Sequence, residues 1–330
     1  MHTATTTRHI QAHRYHGLAP GPRLIVTAAV HGNEVCGVRA IERVLAELGR
    51  GEIEIVRGSA TFVPVCNPLA YARGQRMGER NLNRRLLPTD APRDNEDRLA
   101  NVLCPLLAAH DVLLDLHSFR SPGRPFVLRG PADNDGALEP FAHAVAEAQL
   151  ARHVGPSRVV EGWMEAYAAG IERRRARAAA GDHAAAAAIE DPSYGIGTTE
   201  YMRSTGGWAI TLECGQHLDP NGPEVARLAI LRTLVFLGML DASAVEPHRP
   251  AQPPEVLQLH DVIDREDMGD QFAREWASFD AIEAGQLIGT RASGEAVLAP
   301  GAGRIVFPNV KSQPGTEWFY LARPSDRRLP

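Results

Sequence analysis

"RLIVTAAVHGNEVCGVRAIERVL", residues 23–45, joins two periodicities through a short polar turn. Residues 23–30 form an apolar run of strand length with no alternation, the pattern of a strand covered on both faces. From Val35 the apolar positions Val38, Ile41, Val44, Leu45 and Leu48 recur at helical spacing, and Gly49 and Gly51 end the run. Between them stand His31, Gly32, Asn33 and Glu34. A buried strand thus delivers a histidine and a carboxylate to the point where the chain turns into a helix. In open α/β sheets, ligands gather outside the carboxyl ends of strands.

The same alternation continues along the chain. "NEDRLANVLCPLLAAH" (95–110) reads as a helix with an Asn/Asp-rich start, and "DVLLDLH" (111–117) as a short strand ending on a histidine. A helix is expected over 138–152, a β-like run at "SRVVEGW" (157–163), and a helix-prone Ala/Arg-rich segment over 164–190. "WAITLECG" (208–215) is a buried strand and "GPEVARLAILRTLVFLGML" (222–240) an apolar helix. "GEIEIVRG" (51–58) and "ATFVPVCNP" (60–68) add two β-like runs. Strands alternating with helices predict an α/β layered domain. Composition changes near residue 245, where "EPHRPAQPPE" (246–255) reads as a linker. Short β-like runs follow: "GQLIGTRA", "EAVLAPGAGRIVFPN" and "EWFYLARP". The expected division is therefore 1–244 as the catalytic domain and 245–330 as a small β-rich domain that roofs the site.

The 330 residues carry a net charge of −5, which points to no nucleic-acid or anionic-membrane partner. No apolar run approaches the ~20 residues of a transmembrane helix, and the N-terminus lacks an apolar core of signal-peptide length. Cys36, Cys66, Cys104 and Cys214 are scattered with no C-x-x-C pair, so they read as reduced thiols of a cytoplasmic protein. Lys311 is the only lysine, and the arginine excess reads as coding bias.

Three strand ends carry metal-capable or ionisable residues: His31 with Glu34, then His117, then Glu213. Two histidines and one glutamate suit a catalytic zinc, which takes three protein ligands and keeps a fourth position open. Asp115, two residues before His117, points to the same side of the strand and could orient it. No H-E-x-x-H is present, so the helix-borne zinc protease motif is excluded. Taken singly, each residue has a structural reading: a hydrogen-bonded His117, a helix-start Glu34, a capping Glu213. A second cluster, "RGQRMGERNLNRRL" (73–86), sets Asn81 and Asn83 among arginines. Most of these arginines read as a solvated basic loop; the functional reading is recognition of a carboxylate by planar guanidinium groups.

"HGNE", "RNLNR", "DLH" and "TLECG", in this order over residues 23–240, resemble the succinylglutamate desuccinylase/aspartoacylase family, relatives of the zinc carboxypeptidases. The resemblance implies a zinc-carboxypeptidase-like layered domain with a central mixed sheet flanked by helices. It implies one Zn2+ per chain on His31, Glu34 and His117, with Glu213 as general base. It implies Arg76 as the group that polarises the scissile carbonyl, and Asn83 with Arg84 as the clamp on a substrate carboxylate. Aspartoacylases also use an arginine ten residues before the catalytic glutamate, which here is Arg203. Asn81 departs from the family, where aspartate is common. The implied reaction is hydrolysis of the amide bond of a small N-acyl amino acid. Family relatives often form dimers, so the resemblance admits a homo-oligomer. Two other readings stay open: a zinc carboxypeptidase acting on peptides, and a non-catalytic binding or carrier protein using Lys311.

Overall fold

Apolar runs that do not alternate become interior strands here, and runs of helical period become the layers that cover them. The computed structural model describes residues 9–179, 181, 191–246 and 254–329. Its strands are β1 (His13–His16), β2 (Ala19–Ala28), β3 (Arg57–Val63), β4 (Val112–Phe119), β5 (Phe126–Leu128), β6 (Arg158–Glu161) and β7 (Trp208–Gln216). They continue with β8 (Glu255–Asp264), β9 (Gln271–Phe272), β10 (Ala281–Ile282), β11 (Leu287–Thr290), β12 (Ala296–Leu298), β13 (Gly303–Val306) and β14 (Glu317–Pro324). The α-helices are α1 (Cys36–Gly49), α2 (Pro68–Ala72), α3 (Asn95–Ala108), α4 (Ala144–His153), α5 (Trp163–Ala179), α6 (Thr198–Ser204) and α7 (Gly222–Phe236).

One mixed sheet runs in the order β1-β3-β2-β4-β7-β5-β6-β8-β14-β13-β10, and β12-β11-β9 form a smaller one. At its centre β3, β2, β4 and β7 are parallel. All eight residues of β4 are buried. Successive residues point to opposite faces, so each face has its own core. Leu24, Val26, Leu114 and Ile210 pack with Val38, Ile41 and Val44 of α1 and Ile230 and Leu234 of α7. Ile25, Leu113 and Ala209 pack with Leu99, Leu103 and Leu107 of α3 and Met202 of α6. The architecture is the expected α/β one, with a mixed central sheet, flanking helices and a small C-terminal sheet.

Some boundaries differ from the sequence expectation. In "GEIEIVRG" only Arg57 and Gly58 join a strand; Ile53 and Ile55 instead lie half-buried against the α1/α7 core. Their alternation is satisfied by laying two side chains on the core from a loop, because β1 and β2 already occupy both edges of β3. The helix expected from 138 starts at Ala144, after an Asn134–Phe141 bridge that includes Pro140. Proline biases the residue before it away from helix. The last helix ends at Phe236 because Gly238 takes a left-handed φ of 63°. Helix α5 covers the first part of the Ala/Arg-rich segment; residues 180 and 182–190, and 247–253 of the Pro-rich stretch, lie outside the described residues. β8 pairs parallel with β6 and antiparallel with β14, so the large sheet runs unbroken across position 244/245.

Candidate metal centre and active site

The turn after β2 is built by close approach. Ala29 takes a φ of 44°, in the left-handed region that side chains avoid, and swings the chain out of the sheet. A Cβ on Gly32 would lie 2.0 Å from the carbonyl carbon of Ala70 and 2.2 Å from the amide of Tyr71. The backbone of α2 therefore passes where any other side chain would stand. Within the turn, Glu34 N donates to His31 O at 3.1 Å, which sets both side chains on one side. On the neighbouring strands, His117 of β4 and Glu213 of β7 are direct register partners. Two adjacent parallel strands thus end on an imidazole and a carboxylate side by side.

His31, Glu34 and His117, all buried, each offer one ligand atom within 4.8 Å of the others. His31 Nδ1 lies 2.9 Å from Glu34 Oε1, and His117 Nδ1 lies 2.9 Å from Glu34 Oε2. The first contact has the distance of a hydrogen bond but not its direction, and His31 Nδ1 has no hydrogen-bond partner. The far nitrogens are occupied: His31 Nε2 meets Asn81 Oδ1 at 3.0 Å, and His117 Nε2 meets Asp115 Oδ2 at 2.8 Å. Acceptors there favour the proton on Nε2 and leave each Nδ1 lone pair aimed into the cluster. Asp115 is itself held by the Thr27 and Thr198 hydroxyls. Two neutral-capable imidazoles, a carboxylate and oriented outer partners fit the donor set of a zinc-type ion.

Burial, with Arg76 nearby, pushes His31 down to about 4. Burial also works against charge on His117, but Asp115 and Glu34 outweigh it and hold its pKa well above the usual histidine range. Glu213 is pushed up to about 8, chiefly by burial. Its Oε2 is buried without a partner. A carboxylate in this state is matched to accepting and returning a proton near neutral pH.

A cavity of about 590 Å³ opens over this cluster. Arg76 reaches it with Nη1 2.9 Å from Glu34 Oε1. Asn83 accepts from Thr198 N at 3.0 Å. Arg84 is buried, donates Nη1 to Asn83 O at 2.8 Å, and lies over the rings of Trp163 and Tyr167 at 4.8 and 5.5 Å. The rest of the arginine loop is tied down: Arg80 pairs with Asp94 and Asp97, and Glu96 accepts Asn67 Nδ2 and the amide of Arg80. Arg203 also lines the cavity, but its five N–H groups all face acceptors. Nε and Nη2 meet Glu147, Nη2 also meets Ala209 O, and Nη1 meets Glu139 and Glu200. The expected substrate contact of Arg203 therefore meets a guanidinium with its donors already engaged.

Several further residues line the cavity, most of them without a signal in the sequence. Ser118 Oγ and Asn33 Nδ2 hold His217 at 2.9 and 3.4 Å beside the cluster. Trp163 and Tyr167 come from α5, and Phe307, Glu317 and Tyr320 come from the C-terminal strands and their connections. Asn81, read in the sequence as part of the arginine loop and as a departure from family aspartate, is the partner that orients His31.

Residues 20–158 match the sequence model of the succinylglutamate desuccinylase/aspartoacylase catalytic domain. No curated protein matches the chain. Among solved structures, the product-bound ectoine utilization protein EutE from Ruegeria pomeroyi is similar at 19% identity and TM-score 0.68, covering 94% of this chain and 88% of that one. A succinylglutamate desuccinylase/aspartoacylase from Rhodobacter sphaeroides follows at 17% identity and TM-score 0.67, covering 96% and 90%. An aspartoacylase family protein from Mesorhizobium loti stands at 19% identity and TM-score 0.64, covering 96% and 89%. At these identities the likeness speaks for the fold. The family match spans residues 20–158, which hold His31, Glu34 and His117.

Proposed function

We propose that this chain is a zinc-dependent deacylase that hydrolyses the amide bond of a small N-acyl amino acid. The observation that carries the reading is the convergence of His31, Glu34 and His117 beside Glu213, at the floor of one cavity. His31, Glu34 and His117 would hold the ion. Such an ion supplies Lewis acidity toward a carbonyl and makes a water acidic enough to act as nucleophile near neutral pH. Glu213 Oε2 would accept a proton as the attack on the carbonyl begins and return it to the leaving amine nitrogen. Arg76, half-exposed and beside Glu34, turns an N–H to the carbonyl oxygen as charge develops on it. Asn83 and Arg84 fix the substrate carboxylate, which sets the scissile amide over the cluster. Arg203 belongs to the wall: its ties to Glu139, Glu147 and Glu200 brace α4, α6 and the start of β7 against one another.

We also keep the division into 1–244 and 245–330, with Phe307, Glu317 and Tyr320 of the second unit lining one side of the cavity. The four cysteines are buried free thiols, in keeping with a cytoplasmic protein. No helix among the described residues is long and apolar enough to cross a membrane.

The test is a substrate panel on protein loaded with one equivalent of zinc: N-acetyl and N-succinyl amino acids against dipeptides and longer peptides. Hydrolysis of an N-acyl amino acid with kcat/KM at least about tenfold above any peptide is expected. Preference for peptides, or no turnover of any N-acyl amino acid, overturns the reading.

A further inference from the structure

Thr198, the first residue of α6, is buried and touches both halves of the proposed site. Its hydroxyl donates to Asp115 Oδ2, the same oxygen that meets His117 Nε2 at 2.8 Å. Its amide N–H donates to Asn83 Oδ1 at 3.0 Å. The contact with Asn83 is close. A Cβ on Gly197 would stand 2.2 Å from Asn83 Oδ1, so the carboxamide lies directly on the main chain where α6 begins. With Oδ1 engaged there, Nδ2 is the donor that Asn83 can offer a substrate carboxylate.

Asp115 is fully buried. Thr27 Oγ1 donates to its Oδ1 at 2.6 Å, and Thr198 and His117 share its Oδ2. A carboxylate out of water keeps its charge and its place through such donors. Thr27 and His117 belong to the central sheet, on β2 and β4. Thr198 comes from outside the sheet. Its hydroxyl therefore fastens the first turn of α6, and with it the contact to Asn83, to the carboxylate behind His117.

We propose that Thr198 is a positioning residue: through Asp115 and Asn83 it sets the metal ligand His117 and the carboxylate clamp at a fixed spacing. This rests on the deacylase reading above, in which the clamp must place the scissile amide over the metal cluster. A misplacement of about 1 Å in such an arrangement is enough to cost about 10²-fold in rate. Thr198 itself touches neither the metal nor the substrate in this role.

The experiment uses the full chain and three variants. Thr198→Val keeps the shape and removes the hydroxyl. Thr198→Ser keeps the hydroxyl. Thr27→Val takes a different donor from Asp115 and leaves Asn83 alone. Zinc affinity is measured by chelator competition, without turnover. KM is measured with zinc in excess, on the N-acyl amino acid that the panel above finds best. Thr198→Val is expected to weaken zinc binding by about tenfold and to raise KM by about fivefold. Thr198→Ser should stay within about twofold of the parent on both. Thr27→Val should weaken zinc binding by about tenfold and leave KM within about twofold. Zinc affinity or KM unchanged in Thr198→Val, no rescue in Thr198→Ser, or an equal rise of KM in Thr27→Val overturns the proposal. If Thr198→Val does not fold, Thr198→Ala takes its place; failure of both to fold makes Thr198 a residue of the fold alone and overturns the proposal too. A parent chain that binds zinc but turns over no N-acyl amino acid counts against the deacylase reading. The zinc comparison between Thr198→Val and Thr198→Ser is read without turnover and then decides the proposal.

Discussion

At the scale of the residue, His117 and Glu213 are register partners to which the proposed mechanism gives different tasks, and substitution should separate them. Glu213→Gln keeps the shape of the site and removes the proton acceptor. It should retain stoichiometric zinc by metal analysis while kcat falls about 10²–10⁴-fold; a rate near the parent's would remove Glu213 from the mechanism. His117→Ala should instead lose the metal and strand Asp115 as a buried carboxylate without its imidazole, destabilising the fold by about 3 kcal/mol. Zinc still bound at one equivalent would refute the ligand set. Away from the metal cluster, burial pushes Glu139 up to about 7 from an ordinary 4.5, with Glu200 and Glu147 adding to the push and Arg203 opposing it. The folded state then keeps a proton that the unfolded chain releases. Stability should fall as pH rises from 4.5 to about 7, by at most about 1.4 kcal/mol per pH unit. Glu139→Gln should flatten that part of a pH series of denaturation midpoints, and an unchanged slope would assign the dependence elsewhere.

At the scale of the element, the β2–α1 turn and helix α2 are one construction. Because the backbone of α2 fills the space beside Gly32, Gly32→Ala should push the two apart. A loss of more than about 2 kcal/mol in denaturant-derived stability is expected, together with weaker metal binding, since His31 and Glu34 flank the strained point. Stability and metal affinity both unchanged would mean that α2 yields freely. Helix α1 shows how much of such a unit was legible. Its length and buried face follow from the 3.6-residue period of Val38, Ile41 and Val44. Its seating against the sheet does not. Gly37 lets α1 approach so closely that a Cβ there would stand 2.7 Å from Leu116 Cβ, a contact between residues 79 positions apart that no local pattern encodes.

At the scale of the whole molecule, the large sheet joins what the linker composition divides. β6 lies between β5 and β8, with Arg158 opposite Glu255 and Glu161 opposite Gln258. A chain ended at residue 244 would expose the edge of β6 and lose one wall of the cavity. It should aggregate or show no cooperative unfolding transition; a soluble, cooperatively folding 1–244 fragment would establish that the two units fold independently. The arginine usage also gains meaning at this scale. Arg174 on Asp264 and Arg203 on Glu147 are buried, forked pairs that an ammonium group could not reproduce.

Period and punctuation in the sequence determined the α/β class, the strands that end on His117 and Glu213, and the helix that follows Glu34. These are local facts, written in runs of ten to twenty residues. The ordered motifs carried the family resemblance and named the cluster. Only the tertiary structure decided which nitrogen of each histidine faces the cluster, because that depends on Asn81 and Asp115 lying behind the rings. Only it decided that Arg203 is tied to three glutamates while Arg84 lies over Trp163 and Tyr167, because a guanidinium's surroundings are brought from distant segments. Glu317 and Tyr320 entered the cavity for the same reason: the sheet pairs β14 with β8, and β8 with β6, and so carries the C-terminal strands to the cavity.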